Sequence, residues 1–415
     1  MNYLFIVGKY YPKPLANSVC CQNIIDVITS KGNEVDVICF EDEEEKLDTY
    51  HGCKIHYVKP DAKLRNKYKA DYYAGTKQGK KYFRRMKMHS LLRKILTFNY
   101  EPFYSFSFPR RIRKLVNNLA QEKKIDCIVT CFHPFDGVYA VYKAKKKGKL
   151  SNIPWVIYTL DNVDNIKLRK IFKSRSTHNY WCKKFLKYSD GLIYMSSRKK
   201  DYDVKLFEPF KDKLFEADLP SLIVYKLLDN KNNKDIWTYL GAMDKDHYDP
   251  HFTIEFLSQC DEFSNSEYHF YSRGNQVGYL LEKQKEYPNN LFVNNYVCKE
   301  EVEKIMNNST GFISLKTSNY ISMKTFEYIA SGKPIIHFSS SSNDPNAVYL
   351  EKYPRAVVIK ESEYRNGKYT KDDFSKDLIR AKKSIITEKE INELFFMNKP
   401  EFTAKIIEEI ASKKD

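Results

Sequence analysis

No apolar run in the chain reaches the 18 or so residues that a membrane-spanning helix needs, so none is expected. The apolar start of "MNYLFIVGKYYP" is too short for a signal peptide and reads as a strand. Nine cysteines, at 20, 21, 39, 53, 127, 131, 182, 260 and 298, make no C-x-x-C pair and have no companion histidine spacing. Several sit in apolar strand patterns such as "DVICF" and "DCIVTCF". They read as reduced, mostly buried thiols of a cytoplasmic protein, not as a zinc site or a disulfide framework. There is no G-x-S-x-G, no P-loop and no G-x-G-x-x-G, so hydrolase, kinase and dinucleotide readings lack their motifs. No internal repeat and no long low-complexity tract interrupts the chain.

What the chain has in excess is positive charge, unevenly placed. Of the net +17, residues 63–114 carry +14: sixteen Lys and Arg against Asp71 and Glu101. The other residues together hold +3. The same segment is rich in aromatics, as in "YFRRMKMHSLLRKILTFNYEPFYSFSFPRRIRK". Leu91, Leu92, Ile95 and Leu96 beside Arg93 and Lys94 suggest an amphipathic helix. A solvated basic face, an anionic membrane-surface patch and a nucleic-acid patch all fit this composition, and charge alone does not separate the last two.

Strand and helix patterns alternate along the chain. "YLFIVG", "EVDVICF", "KIHYVKP", "DCIVTCF", "PWVIYTL" and "GLIYMSS" read as strands. Helical segments such as "VCCQNIIDVITSKG" and "RIRKLVNNLAQEK" lie between them. The pattern weakens between about 203 and 235 and restarts at "DIWTYLG", running through "YHFYS", "NNLFVNNYV", "GFISLKTS" and "RAVVIKES". Residues 371–413 look helical. This order predicts α/β architecture: two Rossmann-like, doubly wound parallel-sheet domains facing a cleft. We place them at 1–215, with the basic insertion 63–114, and at 216–385, followed by a helical segment 386–415.

One segment has the most to say about chemistry: "SMKTFEYIASGKPII", residues 322–336. Met323, Phe326, Ile329 and Ala330 recur at helical spacing, whereas Lys324, Glu327, Tyr328 and Ser331 lie off that stripe. Ser322 suits an N-cap, Gly332 a left-handed C-terminal residue, and Pro334 cannot continue the helix. The helix therefore leaves the carboxyl end of strand "GFISLKTS", where open α/β sheets hold ligands and a helix dipole favours phosphate. Lys324 and Glu327 are either an exposed ion pair or two halves of a ligand site.

The segment resembles the nucleotide-sugar-binding motif of bacterial family-4-like glycosyltransferases of the GT-B fold, of the capsular and surface polysaccharide type. "NNLFVNNYVCKEEVEKIMNNSTGFISL", "TYLGAMD", "YYPKPLANSVCCQNIIDVITSKGNEVDVICF" and "KYSDGLIYMSS" are similar to other parts of that family's pattern. By this resemblance Glu327 binds the donor ribose hydroxyls, and Lys324 with the helix start at Ser322 lies by the diphosphate. Arg273 in "YSRGN" is a second diphosphate candidate, and Gly241 lets the backbone approach the donor. The family's second glutamate, eight residues before the ribose-binding one, is Asn319 here. Its N-terminal glycine pair is Ala16–Asn17, and Asn17 tolerates a left-handed turn better than most residues. His133 in "TCFHPFDG" and Asp161 with Asn162 in "YTLDNVDN" stand at strand exits. They are candidates to hold the donor sugar or the acceptor hydroxyl, against capping roles for both.

The resemblance implies a retaining transferase that uses a nucleotide-diphosphate-sugar, UDP-sugar above all, and needs no cofactor and no obligatory metal. The acceptor expected is a lipid-linked glycan. The partners expected are that glycan and an anionic membrane surface through 63–114, with no nucleic acid, at the inner face of the plasma membrane. The alternatives are a non-catalytic carbohydrate- or lipid-binding relative, to which Asn319 points, and a polyanion-binding protein built on the basic patch.

Overall fold

The computed structural model describes residues 1–11, 14–41, 46–73, 75–97, 107–132, 134–160, 174–224, 234–297, 299–318 and 320–413. The chain divides into two units, Met1–Pro220 with Met397–Asp415, and Ser221–Phe396.

The first unit is built on eight strands: β1 (Asn2–Ile6), β2 (Glu34–Phe40), β3 (Thr49–Tyr50), β4 (Cys53–Val58), β5 (Cys127–Cys131), β6 (Trp155–Thr159), β7 (Gly191–Tyr194) and β8 (Leu214–Glu216). Their order is β3-β4-β2-β1-β5-β6-β7-β8. All neighbours are parallel except the short β3, which pairs antiparallel with β4. β5 and β6 are buried along their whole length, as continuous apolar runs covered by helices on both faces must be. The last helix, Pro400–Ser412, turns Ile406, Ile407 and Ile410 inward, and Ile410 fills the space left by the missing side chain of Gly191 in β7. The eight described cysteines are buried, and those of β2 and β5 sit in the strands that the apolar patterns marked.

The basic segment forms a helical hairpin, Ala62–Tyr72 and Lys77–Thr97, before the amphipathic helix Ser107–Glu122. Gly79 allows the hairpin to close, because a Cβ there would overlap the Tyr73 carbonyl. The 107–122 helix buries Phe108, Ile112, Val116 and Leu119 at helical spacing.

The second unit carries β9 (Asp235–Ala242), β10 (Ser266–Arg273), β11 (Leu291–Asn294), β12 (Gly311–Lys316), β13 (Ile335–Ser339) and β14 (Ala356–Lys360). Their order is β11-β10-β9-β12-β13-β14. All neighbours are parallel. The core gathers Trp237, Phe256, Phe270, Ile313, Ile336 and Phe338. Residues 371–413 are helical in three pieces, 371–383, 388–394 and 400–412. Threonine capping boxes start the first two, at Thr370 and Thr387. Among the described residues no helix is long and apolar enough to cross a membrane.

Candidate functional site

From β9 the chain winds outward through β10 and β11, then returns to lay β12, β13 and β14 on the other side. Strand order therefore reverses between β9 and β12, and open α/β sheets take ligands at the carboxyl ends beside such a reversal. The two strands part early there. They pair only at Trp237–Gly311 and Thr238–Phe312. Beyond that point the Leu240 N–H donates to the Tyr328 hydroxyl instead, at 3.0 Å. Tyr328 is accordingly buried and stacked on Phe312, ring centroids 4.4 Å apart, not off the apolar stripe as helical spacing alone suggested. The 323–330 helix is wrapped on more than one face, so a single stripe underestimates its buried side.

Three cations converge on this opening. Lys316 ends β12 and is only 3% exposed, with Nζ 4.1 Å from the centroid of the Tyr248 ring. Lys324, in the first turn of the helix, is partly buried, with Nζ 5.0 Å from the Tyr239 ring and 5.2 Å from Tyr248. Arg273 ends β10 beside Ala242 of β9, is exposed, and stacks 4.4 Å over Tyr296. Gly241 has φ +138°, and a Cβ there would overlap the Lys324 ammonium. The glycine thus serves both the backbone turn and the lysine's seat.

Among the described residues no carboxylate forms an ion pair with Lys316, Lys324 or Arg273. Burial pushes Lys324 down to about 8. Glu327, exposed one turn along, opposes that shift, while Lys316 and Arg273 add to it. The tyrosine faces compensate part of the lost hydration. Hydrogen-bonding capacity is also left over. The hydroxyls of Ser272, Thr317 and Ser318, at or just past the ends of β10 and β12, are buried and have no hydrogen-bond partner among the described residues. The Ser322 backbone is extended as an N-cap requires, but its side chain makes no cap hydrogen bond. Cations in excess beside hydroxyls with spare hydrogen-bonding capacity are chemistry that suits an anion.

Of the residues singled out in the sequence, Gly241, Arg273, Ser322, Lys324 and Glu327 come together here. Asn17 belongs to the first unit, in the opening turn of helix Ala16–Ser30, with no left-handed backbone. His133, Asp161, Asn162 and Asn319 lie outside the described residues. Sequence reasoning missed Lys316, Tyr239 and Tyr248. Their signal was a lysine at the exit of an otherwise apolar strand, "GFISLKTS", and tyrosines flanking "LGAMDKDH". The lysine of Gly-Lys-Pro has a different task. Lys333 is buried and donates to the carbonyls of Met306, Asn307 and Ser309 at 2.8, 2.8 and 2.6 Å, satisfying the end of helix Lys299–Asn308. No three His, Cys, Asp or Glu side chains among the described residues cluster closely enough to share a metal.

Neither a protein-family model nor a curated protein sequence matches the chain. Solved structures do match it in shape. The lipopolysaccharide outer core galactosyltransferase WaaB is similar at TM-score 0.58 and 13% identity over 100% of both chains. A glycosyltransferase from Rickettsia africae is similar at TM-score 0.60 and 11% identity, over 99% of each chain. HepE of Anabaena, solved in complex with UDP and glucose, is similar at TM-score 0.59 and 12% identity, over 99% of this chain and 100% of that one. Likeness of this extent at such low identity establishes the fold: GT-B, with two Rossmann-like α/β units.

Proposed function

We propose that the protein is a nucleotide-sugar-dependent glycosyltransferase whose donor seat is the opening between β9 and β12. The observation that carries the reading is the pair Lys316 and Lys324, withdrawn around tyrosine rings, with the exposed Arg273 beside them and no ion-paired carboxylate among the described residues. Close like charges out of water are unfavourable until an anion joins them, and a diphosphate brings two negative charges. Glu327, one turn past Lys324, accepts the vicinal hydroxyls of the ribose. Gly241 gives the donor room beside the lysine.

The reaction breaks the bond between the anomeric carbon and the β-phosphate oxygen, with its electron pair leaving on the phosphate. The acceptor oxygen forms the new bond on the same face and its proton passes to the departing phosphate. Fixed cations at that phosphate stabilise the charge as it develops, the role a metal plays in other sugar transferases. We assign a UDP-sugar as donor, consistent with the UDP held by the similarly folded HepE. His133, Asp161 and Asn319 are the candidates for handling sugar and acceptor.

A lipid-linked glycan at an anionic membrane is the acceptor we assign, in surface polysaccharide assembly, by an enzyme held peripherally at the inner face. Helix Lys77–Thr97 supports this, because Phe83, Met88, Leu91 and Leu92 stand exposed among Lys80, Lys81, Arg84, Arg85 and Lys87. Phosphates of nucleic acid would explain the charge but not the exposed aliphatic side chains.

The test is a calorimetric titration with UDP, GDP, ADP and CMP on wild type and Glu327→Ala. UDP binds wild type, and the variant stays folded but loses about tenfold or more in affinity, as expected for removing a charged hydrogen-bond acceptor. If no nucleotide binds wild type, the donor reading falls. If UDP binds but no sugar is ever transferred, a non-catalytic relative with Asn319 in place of an acid is the better description.

A further inference from the structure

The start of the 323–330 helix is not held by its own N-cap side chain. It is held from outside, by a chain of buried side chains that the sequence motif does not include. The Asn346 Oδ1 accepts from the Ser322 N–H at 2.7 Å and from the Thr325 hydroxyl at 3.0 Å. Its Nδ2 donates to the Tyr320 carbonyl at 3.1 Å. One amide thus grips three residues on either side of the helix start. Asn346 is itself fixed by Asp344, whose Oδ1 accepts from the Asn346 N–H at 2.8 Å and from Nδ2 at 2.7 Å. The other oxygen of Asp344 lies 2.7 Å from His337 Nε2, and His337 Nδ1 lies 2.9 Å from the Ser314 hydroxyl. A carboxylate only accepts, so Nε2 carries the proton and the ring is locked by both its nitrogens.

The four members come from three places in the chain. Ser314 is in β12, His337 in β13, and Asp344 and Asn346 at the start of helix Pro345–Leu350. His337 is fully buried, Asn346 is 1% exposed and Asp344 5%. Burial works against the Asp344 charge, but the bonds from His337 and Asn346 outweigh it and hold the carboxyl below its usual range. Such a network is unfavourable to bury unless every member is satisfied, and here each is.

We propose that Ser314, His337, Asp344 and Asn346 form a positioning relay that fixes residues 320–325, so that the helix start and Lys324 are preset for a diphosphate. This rests on the donor reading above, but the relay's mechanical part is separable from it. Asn346 touches no reacting atom in this scheme. Its effect runs through the backbone of Ser322 and Tyr320 and the Thr325 hydroxyl. A side chain from a separate helix does what a local cap would otherwise do.

The experiment is amide hydrogen exchange on the full chain, without ligand, for wild type, Asn346→Ala and the near-isosteric Thr325→Val. In Asn346→Ala, residues 320–326 exchange about tenfold faster, the size expected from losing one or two buried hydrogen bonds, while β9, β12 and β13 keep their protection. Thr325→Val gives the same pattern, smaller, and serves if Asn346→Ala does not fold. UDP affinity of Asn346→Ala falls by a similar factor, and saturating UDP restores the protection. Unchanged exchange at 320–326, or uniform loss of protection through residues 221–396, overturns the relay. If wild type binds no nucleotide, the donor reading fails, and the exchange arm still decides whether the relay holds the helix start.

Discussion

Lys324 offers the sharpest quantitative test, because its chemistry links stability, pH and binding. Burial, with Lys316 and Arg273 nearby, lowers its ammonium from the ordinary 10.5 to about 8. At 1.36 kcal/mol per pH unit, a depression of that size corresponds to a penalty of about 3 kcal/mol on the charged form, as an upper value for a side chain only partly out of water. The folded value lies below the unfolded one, so between pH 8 and 10.5 the unfolded chain binds more protons and stability rises with pH. Below pH 8 the folded protein carries the full penalty. Lys324→Met therefore raises the ligand-free stability at pH 7 by up to about 3 kcal/mol, and the gain fades as pH approaches 10. Binding runs the other way. A diphosphate pairs with the ammonium and keeps it charged, so the lysine's contribution to UDP affinity is full well below pH 8 and is lost as pH rises through 8. From pH 7.5 to 9.5 the Kd of wild type rises about 25-fold, whereas Lys324→Met binds weakly and without that slope. Urea melts at several pH values and calorimetric titrations at fixed salt read both quantities. A flat Kd in wild type, or a variant less stable than wild type at pH 7, refutes the reasoning.

Lys333 separates a structural lysine from the functional ones in the same motif. Lys333→Met strands three carbonyls at a buried helix end, lowers stability by roughly 3 kcal/mol and Tm by about 5–10 °C, and leaves the UDP affinity of the folded protein unchanged. The membrane assignment is read by sedimentation with phosphatidylglycerol vesicles. Leu91→Glu with Leu92→Glu weakens binding about tenfold or more, while the nucleotide titration is unaffected. Equal binding by the double variant, or equal binding to neutral vesicles, rules out the helix as the docking face.

The parts legible in the sequence are those written in short-range pattern. Apolar runs and Gly-Lys-Pro punctuation gave the strands, the helix over 323–330 and the left-handed Gly332, φ +70°. Lys324 and Glu327 were visible because they are one helical turn apart. What could not be read are relations between elements that are distant in sequence. Lys316 looks like an ordinary strand-end lysine until Tyr248, 68 residues earlier, is placed against it. Tyr328 reads as lying off the apolar stripe until β9 and β12 separate and leave the Leu240 amide in need of an acceptor. Ser322 has the right type and place for a cap, yet Asn346 does the holding, from a helix that local pattern does not connect to it. Asn17 does not make the left-handed turn its residue type allows. Its tolerance of left-handed backbone is real, but here it is taken into a regular helix.

These distant relations also explain how a seat so rich in positive charge stays folded without a ligand. The cations are not compensated one by one. Their cost is spread over tyrosine faces, over water at Arg273 and over a proton that Lys324 releases easily. The surrounding polar groups are fixed by partners that take no part in binding: Lys333 secures the end of the 299–308 helix and the Asn346 chain secures the start of the 323–330 helix. Rigidity is then supplied by satisfied groups, and attraction by unsatisfied ones. Variants in the first class should change stability or exchange before affinity at saturation. Variants in the second, Lys316→Met included, should lower affinity while the ligand-free protein becomes no less stable. Lys316→Met decides the matter most directly, because its side chain is buried beside an aromatic ring and its methionine replacement has similar volume. If Lys316→Met destabilises the free protein and leaves UDP binding intact, the lysine is structural, and the seat described between β9 and β12 loses one of its three anion-holding groups.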